Sequence, residues 1–271
     1  MAVYQTYPKR KKNFFEGMGV NTSLVIINVF LFGVFTLLIS LSTISIDAIA
    51  IKPSNILQGK YFWTFVTSMF MHAGFFHIFA NMFSLFFIGN FLEKLIGGKR
   101  FFWLYLISGL VGGLFFVSSG LIFSNDSFGV GASGAIFGIL GVLAVLVPYS
   151  KICLIAGPLL LIIAQVVLEK VLPASFATTL SLVINLLFLV MIFSIFSFNS
   201  NFRKISLPLE LPMWLLPIIA IVPLVIIDFF VPLPIGNSAH LGGLVVGLIY
   251  GQYLKKKYPN KTKYISRVFS R

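Results

Sequence analysis

Charge is what this sequence has least of. Only 10% of its 271 residues are charged, and seven are acidic, where soluble domains carry about a quarter charged residues. A chain so poor in charge cannot clothe a water-facing surface. Cysteine is nearly absent too. Cys153 stands alone inside an apolar run, which excludes an intramolecular disulfide and makes packing its expected use. Histidine is scarce, with only His72, His77 and His240. Zinc is an option for two or three histidines, but no cysteine or acidic residue joins them at ligand spacing. His72 and His77 are five apart, awkward for one helix face, so no metal and no cofactor is expected.

What fills the chain instead is hydrocarbon. Hydrophobic residues make up 58%, with 31 Phe and a mean hydropathy of +1.01, which places the protein in lipid. The net charge of +13 could suggest nucleic acid, but the basic residues cluster at the termini and between apolar runs, not along an aromatic face. No nucleic-acid partner is expected; the clusters are a topology signal.

A span needs about 17–25 mostly apolar residues. Eight runs qualify: 21–42, 71–92, 101–123, 132–148, 152–169, 177–198, 212–231 and 238–255. The first could be a signal peptide, with "KRKK" before it and "AIA" at 48–50 after it, but it is long for one and is read as a retained helix. With Lys9, Arg10, Lys11 and Lys12 in the cytoplasm, threading eight helices puts Lys94, Lys99, Arg100, Lys151, Arg203, Lys204 and Lys255–Lys257 inside as well. Lys52, Lys60 and Lys170 are the outside exceptions. The expectation is a multi-pass protein of the cell membrane with both termini cytoplasmic. Residues 1–20 and 256–271 read as basic cytosolic tails flanking a membrane domain, 21–255. Within it, 43–70 is too apolar for a solvated loop and reads as an interfacial element anchored by Tyr61 and Trp63.

Polar residues then fall at one depth. At about 1.5 Å per helical residue, Ser133 lies 18 residues from Lys151, His240 15 from Lys255 and His77 16 from Glu93. All three sit on the outer side, about 22–27 Å up. His77 and Asn81, four apart, share a helix face. Ala239, Gly243, Gly247 and Gly251 repeat every fourth residue, as do Gly134 and Gly138. Such stripes let helix backbones approach closely in lipid. Close backbones could bring a hydroxyl and an imidazole within hydrogen-bond reach, the geometry of a Ser–His nucleophile. Taken singly, each signal has a plainer use: Ser133 and the glycines as packing, Asn81 as interhelical glue, the histidines as a proton relay.

Together these residues resemble the rhomboid family of intramembrane serine proteases. "GASG" at 131–134 is similar to its GxSG, "AHLGGLVVG" at 239–247 to AHxxGxxxG, "HAGFFHIFAN" at 72–81 to HxxxxHxxxN, and "GNFLEKLIG" at 89–97 to GxxxExxxG. The resemblance implies an all-α polytopic membrane protein with a six-helix core. Runs 152–169 and 177–198 would be an extra transmembrane hairpin within 152–198, giving about eight spans. It implies Ser133 as nucleophile and His240 as base. His77, Asn81 and the Ser133 N–H would hold the oxyanion, with Gly131 and Gly134 giving the substrate room. Other transmembrane proteins would be the substrates, and the bilayer the medium. Prolines 212, 217 and 223 would weaken a gating helix at 212–231, working with the segment around Trp63. Two departures stand out: Trp63 is followed by Thr64 where the family often has Arg, and Phe137 replaces a common Tyr. Asp126, seven residues before Ser133, is the one carboxylate near enough to be a third member, and none is expected. The alternatives are an inactive rhomboid-like protein that binds transmembrane clients, and a channel or transporter, for which the inner halves of the helices are too apolar.

Overall fold

The computed structural model describes residues 18–195, 197–230 and 235–269. The expected cytosolic residues Lys9, Arg10, Lys11 and Lys12, and residues 231–234 of the outer loop, lie outside the described residues. The chain folds as α1 (Val20–Ser40), α2 (Pro53–Leu57), α3 (Thr64–Thr67) and α4 (Phe75–Ser84), which runs through a π turn, Leu85–Gly89, into α5 (Asn90–Ile96). Next come α6 (Gly98–Ile122), α7 (Ser133–Leu146), β1 (Lys151–Ile155), α8 (Ala156–Val171), α9 (Ala174–Ile195) and α10 (Ser200–Arg203). The chain closes with β2 (Pro208–Pro212), α11 (Leu216–Phe230), α12 (Asn237–Lys257) and α13 (Pro259–Phe269). This is an all-α polytopic membrane protein.

Among the described residues, three helices are long and apolar enough to cross a bilayer: Val20–Ser40, Phe75–Ile96 and Gly98–Ile122. The centre of the bundle obeys another rule. α7 has 14 residues, a length of about 21 Å, short of the roughly 30 Å of hydrocarbon. It need not match the lipid because protein surrounds it, with every residue from Gly134 to Leu143 buried. Glycine permits that enclosure. A Cβ added to Gly243 would collide with the Gly134 carbonyl, and one on Gly247 with the Gly138 carbonyl, so α12 and α7 touch backbone to backbone. α6 joins them at Gly112, where a Cβ would lie 2.9 Å from the Ala239 carbonyl oxygen and 3.4 Å from Gly134 Cα.

Polar side chains fasten the periphery. The Glu93 carboxylate accepts from the Val20 and Asn21 backbone N–H groups at 2.8 and 2.9 Å, satisfying donors that open α1. Asn28 Nδ2 donates to the Tyr105 hydroxyl at 3.2 Å, pinning α1 to α6. Between α1 and α4, the stretch expected to be interfacial is a series of short turns closed on themselves. Trp63 Nε1 donates to the Ala48 carbonyl and Thr67 Oγ1 to that of Ile49, each at 2.8 Å.

Three local expectations change. Residues 151–155 are not helix: β1 pairs antiparallel with β2, Lys151 opposite Pro212 and Ile155 opposite Pro208. The partner strand has prolines at both ends, where a missing N–H is tolerated in a strand but would break a helix. α7 accordingly stops at Leu146, and the helical count from Ser133 to Lys151 overstates the distance between them. Pro212 belongs to β2 and Pro217 to the first turn of α11, so only Pro223 lies in that helix's interior. Finally, 259–269 is not a loose tail. α13 folds back on the bundle, with Thr262 buried and Phe269 edge-on to Phe91 at 5.0 Å, and Arg100 Nη2 donates to the Tyr258 hydroxyl just before it.

Candidate active site

Ser133 opens α7, so its backbone N–H is among those with no intrahelical acceptor. The positive end of the helix dipole points the same way. The loop before it is clamped to the interfacial segment. Ile51 and Gly129 exchange both backbone hydrogen bonds, at 3.0 and 2.7 Å, and Gly131 N–H donates to the Ser68 carbonyl at 2.8 Å. Ser133 keeps partial exposure while Ala132 and Gly134 on either side are buried.

Across the glycine contact, His240 lies in the first turn of α12 and is buried. Its Nε2 is 2.8 Å from Ser133 Oγ. Phe137, one turn after Ser133, stacks on the imidazole at 4.4 Å and 19°, so the aromatic that departs from the family's Tyr still packs flat on the ring. Among the described residues, His240 Nδ1 has no protein partner. Asp126 is engaged elsewhere: it accepts from Ser54 N–H at 2.8 Å and pairs with Lys52 at 3.4 Å. Among the described residues, Ser133 and His240 therefore form a hydrogen-bonded pair with no carboxylate on the imidazole.

α4 brings His77 and Asn81 to the same place. Ala73 N–H donates to His77 Nδ1 at 3.2 Å, so a neutral His77 carries its proton on Nε2. That edge faces Gly131, where a Cβ would lie 2.9 Å from His77 Cε1 and Nε2 and 3.9 Å from Ser133 Oγ. Gly131 also has φ +121°, a conformation that side chains rarely adopt, so glycine is required twice over. Asn81 is buried, with Nδ2 donating back to the His77 carbonyl at 2.8 Å and Oδ1 unpartnered among the described residues. One Nδ2 proton therefore stays uncommitted. Gly134 does not join this group; it faces Ala239 and Gly112 in the three-helix contact.

Residues 59–183 and 173–257 match the family model of the Rhomboid domain. The chain belongs to the rhomboid family. Among curated rhomboid relatives, it is 45% identical over 92 residues to "RHOMBOID-like protein 1" of Arabidopsis thaliana, covering 34% of this chain and 23% of that one. It is 38% identical over 89 residues to "Putative rhomboid protease YdcA" of Bacillus subtilis, covering 32% and 42%. It is also 35% identical over 79 residues to "Inactive RHOMBOID-like protein 8" of Arabidopsis thaliana, covering 29% and 21%. The matched stretch thus spans about a quarter of the Arabidopsis rhomboid proteins' length.

Two contributors escaped the sequence reading. Gly112 makes the third side of the helix contact beneath the Ser–His pair, and Ser108, one turn earlier on α6, lies against Gly138. Their spacing of four was a legible signal. His72, fully buried, packs edge-on to His77 at 5.1 Å and to Phe32 at 6.0 Å, filling the space behind the His77 ring.

Proposed function

We propose that this protein is an intramembrane serine endopeptidase that cuts other transmembrane proteins near the outer ends of their spans. The observation that carries this is the 2.8 Å approach of His240 Nε2 to Ser133 Oγ. His240 takes the hydroxyl proton as Ser133 attacks the scissile carbonyl, forming the Oγ–C bond, and returns it to the leaving amine. Water then adds to the acyl-enzyme, with His240 again as base, and releases the new carboxylate. The oxyanion is held by the Ser133 N–H, the His77 Nε2–H and the free Nδ2 proton of Asn81. One such donor lowers the barrier by about 2.7–4 kcal/mol. Buried polar atoms of Asn81, His240 and His72 supply the hydrogen-bond partners that water needs inside an apolar bundle. Entry is between the interfacial segment around Trp63 and α11, whose interior Pro223 leaves one backbone carbonyl without its helical partner.

Both termini lie in the cytoplasm in this reading, and the site opens to the outer side. The test is cleavage of single-span reporters by the purified protein in liposomes. Cleavage should vanish in both Ser133→Ala and His240→Ala, and a fluorophosphonate should label Ser133. Cleavage that survives Ser133→Ala would refute the mechanism. Intact Ser133 that neither cuts nor reacts would favour a client-binding protein, the reading that the relative named as inactive keeps in view.

A further inference from the structure

The hairpin α8–α9 has no part in the chemistry above, yet α9 is more than a lipid-facing helix. Leu182, Leu186 and Phe193 are 68%, 64% and 71% exposed. One stripe is not: Ile184 and Phe188, four residues apart, are 6% and 3% exposed. Phe188 is seated on α4. Its ring lies 4.5 Å from that of Phe76 and 6.2 Å from that of Phe79, edge-on at 72° and 81°. Aromatic contacts of this geometry add directional preference to simple burial.

α4 is the helix that carries His77 and Asn81. At about 3.6 residues per turn, Phe76 and Phe79 occupy one side of it and His77 and Asn81 the opposite side. Its inner end runs into the π turn Leu85–Gly89, where the regular helical ladder is interrupted. The ladder alone therefore does not fix how these ten residues lean. Ile78 and Met82 join the buried core, and α4 contacts α1 and α7 on that side; α9 supplies the support from outside.

We propose that the hairpin, through Phe188 seated against Phe76 and Phe79, positions α4 so that His77 and Asn81 face Ser133, and thereby sets the rate of the chemical step. This rests on the proteolytic reading above. Phe188 touches no reacting atom and is a positioning residue.

The test measures kcat and KM on a single-span reporter in liposomes for the full chain, Phe188→Ala, Phe188→Leu and Leu186→Ala. Asn81→Ala is measured alone and combined with each Phe188 change. Phe188→Ala should lower kcat about tenfold with KM within about twofold, Phe188→Leu about threefold, and exposed Leu186→Ala should change neither. In the Asn81→Ala background both Phe188 losses should shrink by half or more, because one of the donors they position is gone. Should Phe188→Ala not fold, Phe188→Leu and its combination with Asn81→Ala carry the same comparison. Losses that simply multiply, or a raised KM with kcat intact, would overturn the proposal. Fluorophosphonate labelling keeps the two readings apart. If the unaltered protein neither labels nor cuts, the protease reading fails and this one with it. If it does both and Phe188→Ala matches it, only the role of the hairpin falls.

Discussion

At Ser133 two requirements meet that seldom coincide in a membrane helix: a hydroxyl open enough for a peptide, and a backbone N–H with no helical acceptor. Both follow from placing the residue at the first position of α7, and the proposed oxyanion site depends on what is aimed at that point. Asn81 contributes one uncommitted amide proton. Asn81→Ala should therefore lower kcat about 100-fold, near the cost of losing one oxyanion donor, while KM moves little because the donor acts on charge that develops in the transition state. An unchanged kcat would remove Asn81 from the oxyanion site. The pairing of Ser133 with His240, 107 residues away, was legible because both sit in glycine stripes of matching spacing. The orientation of His77 was not, since it is fixed by one backbone N–H, from Ala73, and by the turn that presents it. Gly134 was legible as part of a motif but not in its use, because a sequence cannot say which side of a glycine faces a neighbouring helix.

At the scale of elements, the α7–α12 contact has no room to spare. Gly247→Ala would set a methyl against the Gly138 carbonyl, at a cost of about 1–3 kcal/mol for overpacking a close contact. It should also push the two helices apart, cutting cleavage at least tenfold while a reporter still binds; full activity with an unshifted Tm would refute the backbone contact. The opening of α1 depends on Glu93, and Glu93→Ala should cost about 1–2 kcal/mol of stability, as loss of a cap does, with Glu93→Gln recovering part. Asp126 makes a pH-dependent version of the same bond. The Ser54 N–H and hydroxyl, and then Lys52, hold its carboxyl below the ordinary 3.8. A carboxylate depressed in the folded state stabilises it above 3.8, and that contribution fades as pH falls below this value through the folded pKa. The acid limb of Tm against pH should therefore be shallower in Asp126→Asn than in the unaltered protein. Long helices were legible from hydropathy alone. β1 and β2 were not, because Ile152, Leu154 and Leu209 are apolar whether they form a strand or a helix, and only pairing between positions 53 to 61 apart in the chain decides between them.

For the whole molecule, the proposed topology gives the hairpin two crossings, and an even number leaves the sidedness of everything after it unchanged. The positive residues favour the same topology, with Lys94, Lys99 and Arg100 at the α5–α6 turn and Lys255, Lys256 and Lys257 at the end of α12 placed on one side. Tyr258 joins those two clusters physically, taking a hydrogen bond from Arg100 at 2.8 Å. In the proposed topology the loop around Asn125, which has no basic residue from 124 to 130, then lies opposite, on the side toward which Ser133 opens. Replacing Cys153, the one native thiol, with Ser allows this to be read with a membrane-impermeant maleimide on intact cells. Asn125→Cys should label without permeabilisation and Lys261→Cys only after it, since both positions are exposed. If both label from outside, the α5–α6 turn and the end of α12 cannot share the cytoplasm with the site facing out. If Lys261→Cys labels first and Asn125→Cys only after permeabilisation, the molecule is inverted, and its substrates would be cut on the cytoplasmic side. In either failure the Ser133–His240 pair could still be chemically competent, because sidedness selects the substrates while helix packing makes the nucleophile.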